Sequence, residues 1–378
     1  MNHVIIRYSE IGLKGKNRVS FEKRLIENIK MNLKNNGHSY KSVKRCYGRI
    51  IVQVEGKCEC LKDVLGISSF SFAIEVSQDM KNIIKEIMKD VNSTSLNVDN
   101  TFCVRVQRID KRFPMTSVEM EREIGQVIVD KTSAKVKLKD SDFVFYIELI
   151  DSKAYVFMDK IRGYGGLPVG SGGKVASLLS TGIDSPVAAW MAMKRGCRNV
   201  IIFNYNYPFS AKEEKDFAVA QFRNLKRFDP LAKLYIVPFG NILKEIKEKT
   251  KQRYYCILCK RLMYRIANLI AEKEKAMAIV TGESIGQVAS QTIENLFVLD
   301  KASDLPVLRP VIGMNKQEII DIARKIGTYR QSIETKGKCG LLPSCPATRA
   351  RLDLAENEEK RIDLDIIDKV VDDSEIIV

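Results

Sequence analysis

Histidine and tryptophan are nearly missing from this chain. Its 378 residues hold two histidines, His3 and His38, and one tryptophan. Histidine-based acid–base catalysis and His-rich metal sites therefore have little to draw on. Long apolar runs are missing too: none approaches the ~20 residues that a membrane-spanning helix needs. No charged n-region followed by an apolar h-region opens the chain, so a soluble, cytoplasmic protein with no membrane partner is expected. Nine cysteines in a long chain without secretory features argue against a disulfide framework.

Acidic charge is in deficit. Lys and Arg number 62 against 47 Asp and Glu, a net charge of +15 with pI ≈ 9.3. The imbalance is uneven, with 12 basic and 3 acidic residues in 1–50 but 4 basic and 10 acidic in 351–378. A basic N-terminal region points to a polyanionic partner, because cationic faces condense onto phosphate backbones. The length suits two or three domains, and 45% apolar content supports real cores.

Residues 1–60 read as strand–helix–strand. Val4-Ile5-Ile6-Arg7-Tyr8 is strand-like, and Phe21, Leu25, Ile29 and Leu33 recur at helical spacing. Ile50 to Val54 is a further strand. Residues 60–165 form a second α/β unit, with helices around Ile83–Val91 and Val118–Val129. Phe102 to Arg108 alternates apolar and basic positions, and strands at 143–147 and 154–157 flank a turn at Asp151-Ser152-Lys153. The glycine cluster Gly163 to Pro168 marks the main domain boundary. Beyond it, apolar strands at 175–179, 199–203, 233–237 and 276–281 alternate with helical patterns. That rhythm predicts a doubly wound parallel sheet with ligands at the strands' carboxyl ends.

Two glycine-containing stretches sit at the start of this third region. Gly170-Ser171-Gly172-Gly173-Lys174 fails the Walker spacing, since Val175 follows the lysine and Pro168 stands where the first glycine belongs. It is expected to be a flexible linker. Ser180-Thr181-Gly182-Ile183-Asp184-Ser185 carries more chemistry. It follows the apolar run Val175–Leu179 and precedes the helical pattern Pro186–Met193. Free amides at a helix start, added to the helix dipole, make such a turn an anion site. Asp184 or Ser185 is expected to cap the helix, and Gly196 to end it. The turn resembles the PP-loop of enzymes that cleave ATP between its α- and β-phosphates, with Thr181 where that pattern has glycine.

Several segments together resemble one family, the tRNA 4-thiouridine synthetases, or tRNA sulfurtransferases. Arg7 to Arg18, with its Gly12-Leu13-Lys14-Gly15-Lys16 core, is similar to that family's opening signature. Gly163-Tyr164-Gly165-Gly166-Leu167-Pro168-Val169-Gly170 resembles its interdomain segment. Thr281 to Thr292 resembles its nucleotide-pocket segment, and Arg309 to Glu318 its later basic motif. The resemblance implies an α/β protein with an N-terminal ferredoxin-like domain (1–59) and a THUMP RNA-binding domain (60–165). A PP-loop ATP pyrophosphatase domain (166–378), a doubly wound parallel sheet of the adenine nucleotide α-hydrolase-like type, would follow. It implies an ATP-dependent transferase that adenylates O4 of uracil at tRNA position 8, releases pyrophosphate, and then exchanges AMP for sulfur.

In those roles Ser180, Thr181, Gly182 and Ser185 would donate to phosphate. Asp184 would hold Mg²⁺, a cation that favours carboxylate and phosphate oxygens. Lys316 would meet charge developing in the reaction. By the family pattern Leu178, Leu179, Ile202 and Phe203 would line the adenosine side, with Lys260, Gly282 and Gln291 also contacting nucleotide. From charge alone, Lys14, Lys16, Arg18, Arg105, Arg108, Lys111 and Arg112 are the candidate tRNA contacts.

The cysteines bear on the sulfur step. Many members of the family use a catalytic cysteine in the late segment with a rhodanese-like C-terminal domain carrying persulfide, and no room for that domain remains after the last motif. A thiamine thiazole role, found in part of the family, is not expected without it. Cys256-Ile257-Leu258-Cys259 lies just before a helical pattern, and one distant thiol would complete a three-ligand iron–sulfur cluster with one iron left for sulfide. Cys339, aligned with the family's late cysteine, and Cys345 compete for that place, and both together would close the site. A structural zinc site or a redox or persulfide pair remain alternatives. Nearby Lys260, Arg261 and Lys338 are expected to lower the thiol pKa values. The sulfur donor is not legible, and a homodimer is left open. The competing functions are another PP-loop tRNA thiolase, an amidating synthetase, or a non-catalytic THUMP RNA-binding protein.

Overall fold

The computed structural model describes residues 3–334 and 339–378. They divide into two compact units, residues 1–168 and 169–378. No helix among the described residues is long and apolar enough to cross a membrane.

The first unit runs β1 (His3–Arg7), α1 (Arg18–Asn35), β2 (Tyr40–Cys46), β3 (Arg49–Val54), β4 (Ser69–Ser77) and α2 (Met80–Ser93). It continues through β5 (Thr101–Arg108), α3 (Ser117–Thr132), β6 (Lys135–Val136), β7 (Phe143–Ile150), β8 (Lys153–Phe157) and β9 (Ile161–Arg162). All nine strands form one sheet in the order β2-β3-β1-β4-β8-β7-β5-β6, with β9 also beside β4. The two expected N-terminal domains therefore share a strand: Ser69–Ala73 of β4 pairs with β1, and Ile74–Ser77 with β8. The expected division at 59/60 falls inside a single 3-10 turn, Glu59–Asp63. Strand β2 escaped the sequence reading because its Tyr-Lys-Ser-Val-Lys-Arg-Cys run is an exposed edge with no fully buried residue.

Helix α1 packs Leu25, Ile29 and Leu33 against Val4, Ile6 and Phe70, while α2 and α3 cover Phe102 and Phe145. The predicted β7–β8 hairpin turns on Asp151 and Ser152, with φ of 49° and 63°, as a two-residue turn with both centres left-handed requires. Glu148 of β7 ties the sheet together. Its Oε1 accepts from Arg7 Nε and its Oε2 from Arg49 Nε, each at 2.7 Å, while Arg7 Nη1 reaches Ser71 Oγ at 3.0 Å. Breaking a buried ion pair of this kind typically costs about 3–5 kcal/mol.

The second unit runs β10 (Lys174–Leu179), α4 (Asp184–Lys194), β11 (Arg198–Tyr205), α5 (Glu214–Lys226), β12 (Lys233–Pro238), α6 (Gly240–Lys249) and α7 (Tyr255–Glu274). Then come β13 (Ile279–Val280), α8 (Ile293–Asp300), β14 (Val307–Leu308), α9 (Lys316–Ile326), α10 (Tyr329–Glu334), α11 (Leu352–Glu359), α12 (Asp365–Asp372) and β15 (Glu375–Ile377). The sheet order is β14-β13-β10-β11-β12-β15. The first five are parallel and β15 is antiparallel. This is the expected doubly wound sheet. Alternation along β11 sends Val200 and Ile202 into the core with α6, α7, α8 and α12.

The stretch at 170–173 is not a flexible linker. The amides of Gly170 and Gly172 both donate to Gly196 O, at 2.8 and 2.9 Å, and Arg198 N donates to Gly173 O at 2.8 Å. A Cβ on Gly172 would lie 2.8 Å from Arg195 O, so glycine is there for close backbone approach. The acidic excess near the C-terminus is partly internal: Glu359 accepts from Arg261 and Arg265, and Lys273 pairs with Asp372.

Candidate active site

Strand β10 ends at Leu179, and the turn Ser180–Ile183 delivers the chain into α4 at the carboxyl edge of the sheet. The helix is not capped as expected. Ile183 occupies the N-cap position in helical conformation and no side chain caps the first turn. The expected capper, Ser185, turns back instead. Its Oγ accepts from Ser180 N at 2.8 Å and lies 2.9 Å from Ser180 Oγ, closing the loop on itself. Uncapped first-turn amides remain available to an anion.

The loop after β13 closes the other side. A Cβ on Gly282 would fall 2.5 Å from Ser185 N, 2.6 Å from Ser185 Cα and 2.8 Å from Asp184 C. Only glycine lets this backbone pass the start of α4 so closely. Asp184, expected as a cap, is the first residue of α4 and makes side-chain contacts: Lys316 Nζ donates to Oδ1 at 2.6 Å and Gln287 Nε2 to Oδ2 at 3.0 Å. Lys316 opens α9, which is fixed by a reciprocal capping box between Asn315 and Glu318.

These walls enclose a cavity of about 410 Å³. Of the residues expected from the sequence, Leu178, Leu179, Ser180, Thr181, Asp184, Ser185, Phe203, Lys260, Gly282, Gln291 and Cys339 line it. Ile202 is fully buried in the core, and neither it nor Gly182 nor Lys316 is among the lining residues. Thr281, Glu283, Val288 and Ser290, from the segment that resembles the family's nucleotide pocket, also line it, and Asn204, Asn206, Glu214, Met263 and Tyr264, not named from the sequence, complete the walls. Asn204 Oδ1, Asn206 Oδ1 and Gln291 Oε1 are buried with no hydrogen-bond partner among the described residues. Such acceptors suit a ligand that carries N–H or O–H groups.

Glu283 lies in the Thr281–Thr292 segment but has no individual role in the sequence pattern. It accepts from Lys260 Nζ at 3.0 Å, Tyr264 Oη at 2.9 Å, Thr281 Oγ1 at 3.1 Å and Arg309 Nε at 2.8 Å. Burial alone pushes its carboxyl pKa up, but Lys260 and Arg309 outweigh that and hold it at about 2. A lone carboxylate inside a loop carries no periodic signal. Only the fold reveals that two cations and a tyrosine hydroxyl from distant segments converge on it, beside the hydroxyl of Thr281.

Cys256 and Cys259 sit on the first turn of α7, and Cys339 lines the cavity. The three thiols are within electrostatic reach of one another, each of the first two being raised by Cys339. The expectation of lowered thiol pKa values fails for this pair. Burial pushes both Cys256 and Cys259 up, and Lys260 does not compensate. Arg261 contributes nothing there, because its guanidinium is buried against Glu359 on another side of α7; Lys338 lies outside the described residues. Cys345 is exposed. Among the described residues, no group of three or more His, Cys, Asp or Glu side chains is arranged to hold a metal ion.

The candidate RNA contacts all lie in the first unit and divide by how they are engaged. Lys16 and Lys111 are exposed. Lys14 lies over the Phe21 ring and Arg18 over those of Tyr8 and Tyr47. Arg18 also pairs with Glu22 at 2.8 Å, Arg112 pairs with Asp110, and Arg105 bonds the carbonyl of Leu138. Arg108 donates to the carbonyls of Lys111 and Phe113 at 2.7 and 2.8 Å, a structural use of its charge.

Comparison with known proteins agrees along the whole chain. The family model described as Thiamine biosynthesis protein (ThiI) matches residues 170–364, the ThiI ferredoxin-like domain residues 3–71, and the THUMP domain residues 76–159. A protein of Thermococcus kodakarensis named "Probable tRNA sulfurtransferase" is 40% identical over 360 residues, covering 92% of this chain and 93% of its own. One of the same name from Halothermothrix orenii is 39% identical over 389 residues, covering 99% and 98%. A crystal structure of a 4-thiouridine synthetase–RNA complex with bound ATP superposes with a TM-score of 0.88 and 34% identity, covering 100% of this chain and 99% of that one. The structure of PH1313 from Pyrococcus horikoshii gives a TM-score of 0.70 at 26% identity, covering 86% and 100%. The chain belongs to the tRNA sulfurtransferase family, with the ferredoxin-like, THUMP and PP-loop organisation of its members.

Proposed function

We propose that this protein is the ATP-dependent tRNA sulfurtransferase that makes 4-thiouridine at position 8. Residues 1–59 and 60–165 hold the tRNA, and residues 166–378 carry the chemistry. The observation that carries this reading is the cavity at the start of α4, where uncapped amides and Asp184, itself bonded by Lys316, meet an apolar wall containing Leu178 and Phe203.

The chemical problem is that a uracil carbonyl oxygen leaves poorly. In the first step O4 attacks the α-phosphorus of ATP, the bond from that phosphorus to the β-phosphate bridge breaks, and pyrophosphate departs. In the second, a sulfur nucleophile adds at C4, the C4–O4 bond breaks, and AMP leaves with the original oxygen. The Ser180–Ser185 turn orients the polyphosphate through backbone and hydroxyl donors. Lys316 stabilises negative charge on the departing pyrophosphate, a role suited to a cation preset at its site.

Two further groups fit the residues present. Asp184 offers a carboxylate beside the phosphate turn, the donor that Mg²⁺ takes together with phosphate oxygens. Bound there, the ion would neutralise charge on the polyphosphate. The thiols of Cys256, Cys259 and Cys339 are soft donors that influence one another electrostatically, the donor type an iron–sulfur cluster takes, with Cys345 as an alternative third or a fourth ligand; as the described residues stand, they are not arranged around a metal ion. Such a cluster would supply a site for sulfide near the activated base. Zinc, or a thiol pair working without metal, is the competing use of the same residues. The sulfur itself comes from a separate donor.

The test is tRNA turnover by Asp184→Ala. Pyrophosphate release and 4-thiouridine formation should fall together by about 10²-fold or more. Normal amounts of 4-thiouridine from that variant would refute the assignment of this cavity.

A further inference from the structure

The cavity holds a carboxylate that the proposed chemistry does not use. Glu283 is 5% exposed and lies next to Gly282, the residue that packs on the start of α4. Its Oε1 takes the Lys260 ammonium, and its Oε2 takes Arg309 Nε, Tyr264 Oη and Thr281 Oγ1. Arg309 is held in turn by Asp300 and also donates to Tyr264 Oη at 3.2 Å. The row Asp300–Arg309–Glu283–Lys260 is balanced, two acids against two bases. Lys260 is the only cation of the four that lines the cavity.

An unrestrained lysine carries four rotatable bonds, and ordering them on binding costs conformational entropy. Here Lys260 and Tyr264 stand one helical turn apart on the same face of α7, and both reach Glu283. One of the three ammonium N–H groups is committed to Glu283, and its side chain keeps 26% exposure toward the cavity. Resting on the nucleotide reading above, we infer that Glu283 is a positioning residue that presets the Lys260 ammonium for the phosphates of the bound nucleotide. It is tied to the phosphate turn through Gly282 and to the thiol-bearing helix through Lys260. Glu283 thus sets the distance between the two halves of the site.

The test is a double-mutant cycle on ATP affinity, measured by calorimetry on the full-length protein with Lys260→Met, Glu283→Gln and both changes together. Each single variant should weaken ATP by roughly 10-fold, the scale of a charge-assisted hydrogen bond. If Glu283 acts through Lys260, then in the Lys260→Met background Glu283→Gln should add less than about twofold. Losses that multiply, or either single variant binding ATP normally, overturn the positioning role while leaving the nucleotide site intact. A wild-type protein that does not bind ATP overturns the nucleotide reading itself. Should Glu283→Gln not fold, Glu283→Asp serves in the same cycle. It keeps the charge but draws the carboxylate one methylene away from Lys260, and the same outcomes decide.

Discussion

Lys316 Nζ donates to Asp184 Oδ1 at 2.6 Å, across 132 residues of chain. The two residues open two different helices, α9 and α4, so the pair locks the later basic motif onto the phosphate turn. Lys316 should therefore matter to turnover more than to folding. Its side chain is 44% exposed, and an exposed pair contributes little stability. Lys316→Met is expected to lower the turnover rate by about 10²-fold or more with a melting temperature close to wild type. Single-turnover kinetics at saturating ATP, alongside thermal melting, checks both halves of this statement.

Gly282→Ala should act on geometry alone. The new methyl would press on Ser185 and Asp184 backbone atoms at 2.5–2.8 Å, where no flexible side chain can give way. A shift of this kind typically costs about 1–3 kcal/mol. The expected result is weaker ATP binding accompanied by a measurable loss in urea stability. An unchanged ATP affinity would mean that the close approach at Gly282 does not set the phosphate turn.

The thiols separate by position. Replacing Cys256, Cys259 or Cys339 by alanine should abolish 4-thiouridine formation while ATP-dependent adenylation of tRNA persists. Cys345→Ala distinguishes a three-ligand site from a four-ligand one, since Cys345 is exposed. Iron, sulfide and zinc analysis of anaerobically purified wild type and variants is the direct check. Stoichiometric zinc without iron would replace the cluster by a structural site and leave the adenylation step untouched.

Acid should weaken the network around Glu283. Its carboxyl lies at about 2 in the folded protein against an ordinary 4.5. A depressed acid stabilises the fold fully above 4.5 and loses that contribution as pH falls from 4.5 toward 2. The stability difference between wild type and Glu283→Gln should therefore shrink on going from pH 7 to pH 3 in urea titrations. A difference independent of pH would contradict the charged state assigned to Glu283.

Much of this architecture could be read from patterning. Apolar runs such as Val175–Leu179 and the spacing Leu25, Ile29, Leu33 announced their elements, since burial on one face imposes a period. The turn at Ser180 was legible because free amides and hydroxyls before a helix have few other uses. What was misread depends on tertiary neighbours. Ser185 bonds back to Ser180 rather than capping, and Gly170 and Gly172 are clamped on Gly196 rather than loose. The thiols of Cys256 and Cys259 answer to burial more than to the adjacent Lys260. The segment of Glu283 was legible by resemblance, but its bonding was not, because its partners come from α7, the β13 end and the segment after β14.

The central claim concerns one oxygen atom, and isotope transfer follows it directly. A tRNA carrying ¹⁸O at O4 of uridine 8 is incubated with the enzyme, ATP and a sulfide source, and the nucleotide products are examined by mass spectrometry. Attack of O4 on the α-phosphorus predicts one ¹⁸O in the phosphate of AMP for each 4-thiouridine formed. Unlabelled AMP, with the heavy oxygen in water or inorganic phosphate, would contradict it.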